Sequence, residues 1–348
     1  MSTWRRRGTK RGSFGTDLIP EVIAPIETKG HRMPETPTTY KPFIDKLADG
    51  QQLPKGFDTW GLKVVRGDLT TYLLPGGQRF QWPHPSQGRP AVVEDPSASG
   101  TASCPSPSVG GFAVAKNLQG AAAGGYGHGP VLLVAYNSGD VLAQDSGKVR
   151  TGLVAVVKVF HSDVYKDCAG FDLHGADLRG LRLPDANFAG ANLRGARLNG
   201  AHLERAHFEG ADCSSANFSR ANLTGADFSG AKLRSTKGNN VIARDARFGL
   251  ADFTGAEWTG TDFAHAAFDG ADMGQANFHR ANLTGVVGQP KHVGTMVLSS
   301  VVLGSTGSTR TRPQAHPFKA ISVPAGRNDI LAALTGAGVL ATMEKPSS

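Results

Sequence analysis

The chain has 348 residues, with 37 Lys plus Arg against 29 Asp plus Glu and a formal net charge of +8. A hydrophobic content of 39% excludes wholesale disorder, which requires low hydrophobicity and high net charge per residue. Three widely spaced cysteines, Cys104, Cys168 and Cys213, form no CxxC or Cys/His pattern and argue against a disulfide framework or a zinc module. No stretch approaches the ~18 apolar residues needed to span a membrane, so no membrane contact is expected. Gly (45) and Pro (20) together are about a fifth of the chain, well above the roughly 12% of average proteins, so tight turns dominate the composition.

Residues 1–41 read as an extended arm. Its tip is basic, with Arg5, Arg6, Arg7, Lys10 and Arg11. The apolar stretch that follows, Leu18 to Ile26, is broken by Pro20, Glu21 and Pro25, which is not the unbroken run of a signal peptide. With Pro34 and Pro37 further on, the arm cannot make its own core and is expected to be disordered or pinned along a partner. The five cations are the candidate partner-binding residues, suited to nucleic acid or an acidic protein surface.

Residues 42–170 read as a small α+β domain. A short helix is expected over 42–49 and a strand over 62–65. A strand at 111–115 leads into a short helix at 116–123, and the strongest strands are 131–136 and 153–160. Segment 85–110, rich in Pro, Ser and Gly, reads as a long surface loop. The strand 153–160, or the stretch 164–168, is expected to cover the start of the next region and protect its open edge. Gly124 to Gly129 follows a helix and opens a strand, the reverse of a phosphate loop, and reads as a turn. His161-Ser162-Asp163 contains triad residue types, but adjacency in sequence is not triad geometry. No catalytic, cofactor-binding or metal-binding residues are assigned.

From Phe171 to Gly285 the chain repeats every five residues, for 23 units. Large apolar residues hold one phase, among them Leu183, Phe188, Leu193, Leu198 and Leu203. Alanine stands two residues before most of them, Asp or Asn often lies between, and Gly commonly closes the unit. A period of five fits neither the helix nor the strand. It fits a coil that turns a corner every five residues, with four units closing a square of twenty and coils stacking at about 4.8 Å into a rod about 27 Å long. Sorted by twenty, Phe188, Phe208, Phe228, Phe248 and Phe268 form one inward column, the expected structural ladder of the core. Cys213 falls at an inward position and reads as a small core residue. His174, His202, His207, His265 and His279 fall on the outside.

Units such as Ala191-Asn192-Leu193-Arg194-Gly195 and Ala226-Asp227-Phe228-Ser229-Gly230 closely resemble the pentapeptide-repeat family. The resemblance covers a third of the chain and implies a right-handed quadrilateral β-helix. The stretch from Ala113 through Lys148-Val149-Arg150 is similar to a domain that precedes pentapeptide repeats in some actinobacterial and bacteriophage proteins. The fold class is therefore mainly β: a quadrilateral β-helix over 171–285, preceded by the α+β domain and flanked by the arm and a small C-terminal module.

One stretch departs from the pattern. Residues 236–245 put Gly238 and Ala243 at inward centres. Either these are two degenerate walls, or ten residues are extruded as a loop. The first is favoured, because Thr236 and Val241 replace the usual alanines and return some lost volume. In that register Phe228 meets Phe248; in the other it meets Trp258. Residues 286–348 hold an apolar cap at 296–303, a linker at 304–313, a strand near 318–323, a helix from 328 to 335 and a strand at 339–343.

The charge is unevenly placed. The tip (1–12) carries +5, residues 13–170 are neutral, the repeat carries −1 and the C-terminal 63 residues carry +4. These features suggest a non-enzymatic structural or interaction protein, a component of a larger assembly such as a bacteriophage virion, where it would be a capsid decoration or minor structural protein. Its partners would be other proteins of the assembly, met through the N- and C-terminal arms, with self-association left open. Nucleic acid would be met only at the basic tip. The implied location is the virion or the bacterial cytoplasm. The family resemblance brings an alternative, modulation of DNA gyrase by mimicry of duplex DNA, which needs a strongly acidic rod. The four walls here carry about −1, +3, −1 and −2. An enzymatic activity in residues 42–170 is the remaining alternative.

Overall fold

A computed structural model describes residues 39–72, 79–86, 89–95, 111–122, 129–291, 296–298, 301 and 321–322. The basic tip, the Gly124–His128 part of the glycine-rich turn, the 304–313 linker and the expected 328–335 and 339–343 elements lie outside the described residues.

The elements begin with β1 (Lys41–Pro42), α1 (Phe43–Ala48), β2 (Thr59–Val64), β3 (Thr70–Tyr72) and β4 (Arg79–Gln81). They continue with β5 (Ala91–Glu94), β6 (Phe112–Ala115), α2 (Leu118–Ala122) and β7 (Val131–Tyr136). Then come β8 (Val141–Gln144), β9 (Lys148–Thr151), β10 (Leu153–Phe160) and β11 (Phe171–Asp172). Seven strands form one antiparallel sheet in the order β5-β10-β7-β2-β6-β9-β8. All six residues of β7 are buried, so both faces of the sheet are covered at its centre.

One sheet face, with Leu62, Ala115 and Leu133, shares a hydrophobic core with α1, α2 and the first coils of the β-helix. The other face, with Phe112, Val114, Leu132 and Val154, is covered by the β3–β4 hairpin. Trp82, just past that hairpin, packs 5.1 Å from Phe112, and its Nε1 donates to Thr71 Oγ1 at 2.8 Å. The 85–110 segment differs from expectation: inside it, Ala91–Glu94 forms an edge strand against β10. Its alternation of half-buried and exposed residues is that of a strand with one face on the core.

β10 packs Val157 and Phe160 against the core shared with the first coils, while its strand hydrogen bonds run to β5 and β7 within the sheet. Lys41–Pro42, assigned in part to the arm, pairs in parallel with Phe171–Asp172. Phe43 and Leu47 of α1 are buried beneath the first coil, and Phe43 stacks on Tyr165 at 5.4 Å. Asp167 already bridges to Asn187, so the end of the 164–168 stretch is itself the first rung.

From there the residues at the outer strand positions bridge in parallel to the residue twenty further on, from Asp167↔Asn187 to Asn277↔Val297, except that Asp272 meets Lys291, nineteen further on, at the end of wall A. We label the walls by their inward centres: A (173, 193, 213 and so on), B (178, 198, 218), C (183, 203, 223) and D (188, 208, 228). The residue closing each five-residue unit is in the left-handed region. Glycine occupies thirteen of the 24 corners from 170 to 285, and the others hold residues such as Arg220 (φ 63°), Asn240 (56°) and Leu250 (57°). The Asp or Asn before each inward residue has a local role: its Oδ1 accepts the N–H two residues on, as in Asn217–Ser219 at 2.9 Å and Asp227–Ser229 at 2.9 Å.

Residues 236–245 stay in register. Asn222 bridges Ile242, Ile242 bridges Asp262, and Phe228 stacks on Phe248 at 5.3 Å. The extruded loop is excluded. The volume lost at Gly238 is returned chiefly by Trp258, one coil above. A Cβ at position 238 would lie 2.2 Å from Trp258 Cδ2. The indole Nε1 donates to Thr236 Oγ1 at 2.9 Å, and that hydroxyl donates to the Leu233 carbonyl at 2.7 Å. At the far end β12 (Val297–Leu298) continues wall B and pairs antiparallel with β13 (Ile321–Ser322). Val286, Met296, Leu298 and Val301 are buried there and close the last coil.

Candidate interaction surface

The inward side chains of the solenoid are buried. Phe188, Phe208, Phe228, Phe248 and Phe268 stack in turn with centroids 5.1, 4.4, 5.3 and 5.1 Å apart and interplanar angles of 18° or less. Cys213 is fully buried among them, and burial raises its thiol well above the ordinary range. Cys168 is likewise pushed up to about 12 by burial. Neither thiol meets the requirement of an accessible thiolate.

Within the solenoid, the side chains open to a partner are those of the outer walls. On walls A, C and D arginines reach carboxylates of the same wall one coil away. Arg194 lies 3.6 Å from Asp212, and Arg234 is bonded to Asp252. On wall C Arg205 holds Asp185 through two bonds of 2.7 and 2.8 Å, and Arg244 lies 2.5 Å from Asp262. On wall D Arg247 lies 3.5 Å from Asp227. The Arg205 hydrogen bonds hold the Asp185 carboxyl below its ordinary value. At Asp252 burial raises the pKa, but bonds from Thr254 and Arg234 outweigh it and the net shift is downward.

Wall B differs. Its lowest pair is local: Arg179 chelates Asp177 through bonds of 2.7 and 2.6 Å, and the Asp177 side chain is only 2% exposed. Burial raises this carboxyl, and the Arg179 bonds outweigh that effect and lower it. Arg197 reaches back to the Ala122 carbonyl at the end of α2, at 3.4 Å. Arg220, Lys237 and Arg280 above it are exposed.

The exterior histidines form no ligand set. His202 and His207 lie on walls C and D, each beside a glutamate of its own wall, Glu204 at 3.5 Å and Glu209 at 3.0 Å. Among the described residues no group of three or more His, Cys, Asp or Glu is placed to hold a metal ion, and no helix is long and apolar enough to cross a membrane. In the sheet, sequence reasoning passed over Lys63. Its Nζ donates to the Ala113 carbonyl at 2.9 Å and lies 5.8 Å from the Trp82 ring centre. Burial, aided by the charges of Lys148 and Arg150, lowers this ammonium to about 8. Its only sequence signal was a lysine flanked by apolar residues in a strand.

A right-handed quadrilateral β-helix with five-residue walls and a filled interior defines a pentapeptide-repeat solenoid. Residues 172–210, 201–237 and 246–285 match the Pentapeptide repeats model in eight copies. The matched stretches break at 238–245, where Gly238 and Ala243 replace large side chains. The chain belongs to the pentapeptide-repeat family. Among solved structures it is similar to HetL, a pentapeptide repeat protein involved in heterocyst differentiation regulation from the cyanobacterium Nostoc sp. strain PCC 7120. That match has 24% identity, covers 39% of this chain and 69% of HetL, and has a TM-score of 0.31. A pentapeptide repeat protein of the Arabidopsis thaliana thylakoid lumen is 32% identical, over 32% of this chain and 70% of that one, with a TM-score of 0.17. Full-length QnrB1, a plasmid-mediated fluoroquinolone resistance protein, is 21% identical over 40% of this chain and 79% of its own, with a TM-score of 0.19. No curated protein matches the chain.

Proposed function

We propose that this is a non-enzymatic interaction protein in which the β-helix is a rigid spacer and the terminal segments, 1–41 and 286–348, attach it to a larger assembly. The observation that carries the reading is the way the polar groups of the solenoid are spent. Corner N–H groups bond to carbonyls of the next coil, Asp and Asn oxygens cap their own turns, and most wall arginines are paired. Little is left for general acid–base or nucleophilic work. The surplus charge sits at the two ends of the chain, +5 in residues 1–12 and +4 in residues 286–348.

A bacteriophage virion, with the protein as a capsid decoration or minor structural component, is the assembly we favour. The test is mass spectrometry of purified particles from a host carrying the gene. Stoichiometric recovery supports the assignment, and particles that lack the polypeptide sink it. Cross-linking on particles that contain it should map to residues 1–41 or 286–348 and not to walls C and D. The gyrase alternative finds no support in the wall charges, since mimicry of duplex phosphates needs a continuous acidic face. Inhibition of gyrase supercoiling at low micromolar protein would revive it.

A further inference from the structure

The geometry points to wall B, between Arg220 and Arg280, as a docking face for the phosphate backbone of double-stranded nucleic acid. Three observations meet there. The first is charge: wall B carries about +3 where walls A, C and D carry about −1, −1 and −2. Its carboxylates do not cancel this. Asp177 is spent on Arg179, and Glu257 stands one coil above Lys237 without an ion pair among the described residues. Arg220, Lys237 and Arg280 are exposed and likewise have no ion-pair partner among the described residues, whereas five of the six arginines on the other walls have one, Arg182 being the exception. At about 4.8 Å per coil these cations stand at heights of roughly 0, 5 and 14 Å along a straight face.

The second observation is hydrogen-bond polarity. In the column that holds Lys237, Asn217 and Asn277 turn Oδ1 inward to accept the N–H groups of Ser219 and His279, at 2.9 and 3.0 Å. Asn239, in the next column, accepts from Thr259 N at 3.2 Å. The amide nitrogens are what these side chains have left to present, so Asn217, Lys237 and Asn277 offer donors along one column that Glu257 alone interrupts between Asn217 and Asn277. On walls A and C the same column holds Asp172, Asp212, Asp252 and Asp262, which present acceptors.

The third observation is what the wall leaves out. Its aromatic residues, Phe218, Trp258 and Phe278, all point into the core. Between Arg197 and Arg280 it exposes no large apolar side chain. A single strand would need rings on which to stack its bases, and a protein partner would need an apolar centre to its interface. A duplex, whose bases are already stacked and whose outside is phosphate, needs only cations and donors. The face is bounded below by α2, where Arg197 is already engaged. This site is separate from the basic tip, and its test does not depend on the assembly reading above.

The experiment uses the full chain and a labelled duplex about 20 base pairs long, followed by fluorescence anisotropy between about 50 and 200 mM salt. The variant is Arg220→Asn, Lys237→Gln and Arg280→Asn, asparagine being the residue besides glycine that tolerates the left-handed corners at 220 and 280. The expected result is at least a tenfold loss of affinity at low salt and a log K against log salt slope flatter by about 3, since each released phosphate contact contributes about 0.9. The same shift should appear in a chain whose five tip cations are changed to glutamine. Lys237→Gln alone, at a position of ordinary backbone, should flatten the slope by about 1 and serves if the corner variants melt early. The proposal is overturned if the parent chain binds no duplex, if the triple variant binds within twofold of it, or if changing the tip alone abolishes binding. It is also overturned if polyglutamate binds the parent more tightly than the duplex does, which would make wall B a face for an acidic protein.

Discussion

Replacing Gly238 with alanine tests the account of the solenoid core. The added Cβ would lie 2.2, 2.5 and 2.6 Å from Cδ2, Cε2 and Cε3 of Trp258. Carbon atoms do not approach so closely, so the indole must move. It has little room: Phe253 and Phe263 lie 5.6 Å away, Phe248 lies at 6.0 Å and Phe218 at 6.2 Å, and Nε1 is tied to Thr236. Overpacking of this kind costs about 1–3 kcal/mol, and the hemmed ring places this case near the upper value. Trp258→Leu alone leaves a void beside Gly238 and is also destabilising, by about 2–4 kcal/mol. In the Trp258→Leu background, however, Gly238→Ala should become neutral or stabilising, because its methyl then fills space. The coupling between the two sites should be at least about 2 kcal/mol. Guanidinium unfolding followed by far-ultraviolet circular dichroism measures all four proteins without relying on the indole. If Gly238→Ala costs the same in both backgrounds, Trp258 does not fill the glycine's space and the packing argument fails.

Thr236→Val removes the acceptor of the buried Trp258 N–H and should cost about 1–3 kcal/mol by the same assay; a loss under about 0.5 kcal/mol would show the indole has another partner. Leu250 sits at a corner with φ 57° and is 51% exposed. Leu250→Asn should raise stability by about 1 kcal/mol, while Gly195→Ala, at φ 62° with open space around it, should lower it by about 1 kcal/mol. Lys63 titrates near 8 in the fold against an ordinary value of 10.5, because burial disfavours its charge. Between those values the unfolded chain binds the extra proton, so this residue makes stability rise with pH there, by up to about 3 kcal/mol in total. Cys168 and Cys213 act oppositely above their ordinary value of 9.0, since burial keeps them protonated in the fold. The contribution of Lys63 is therefore read as the difference between the wild-type and Lys63→Met stability curves, which should vary from pH 8 to 10.5 and be flat below. Asp177, held below its ordinary value by Arg179 against the effect of burial, contributes stability that is lost as the pH falls below about 4. Acid melts of Asp177→Asn should show a shallower decline, and a parallel curve would discount the pair.

The solenoid was legible because one physical requirement recurs every five residues. An inward pair, a turn and an Asx cap repeat through the chain, and each leaves its own residue type. The phase alone placed Phe228 on Phe248 across a stretch that had lost its large side chains. What filled that stretch was less visible, because Trp258 compensates for a glycine twenty residues away and on the next coil. Eleven corners also carry residues other than glycine, so the left-handed turn had to be inferred from register and not from composition. The sheet was harder. β5 lies among prolines and serines and is specified by its neighbour β10, and the β3–β4 hairpin has no alternating apolar run. Lys41–Pro42 pairs with residues some 130 positions away, a contact no local pattern announces. Wall B was visible as a charge total. Its free cations became distinct only when the ion pairs of the other walls were in place.

The twenty-residue step of the bridges, kept from Asp167 until Asp272 meets Lys291 in the last coil, makes the solenoid a counting device. Removing one pentapeptide would leave every local unit intact yet rotate everything downstream by a quarter turn. Arg280 would leave the line of Arg220, and β12 would arrive over the wrong wall. Removing four would shorten the rod by one coil and disturb nothing but its length. Length variation tolerated by such a molecule should therefore come in steps of twenty residues.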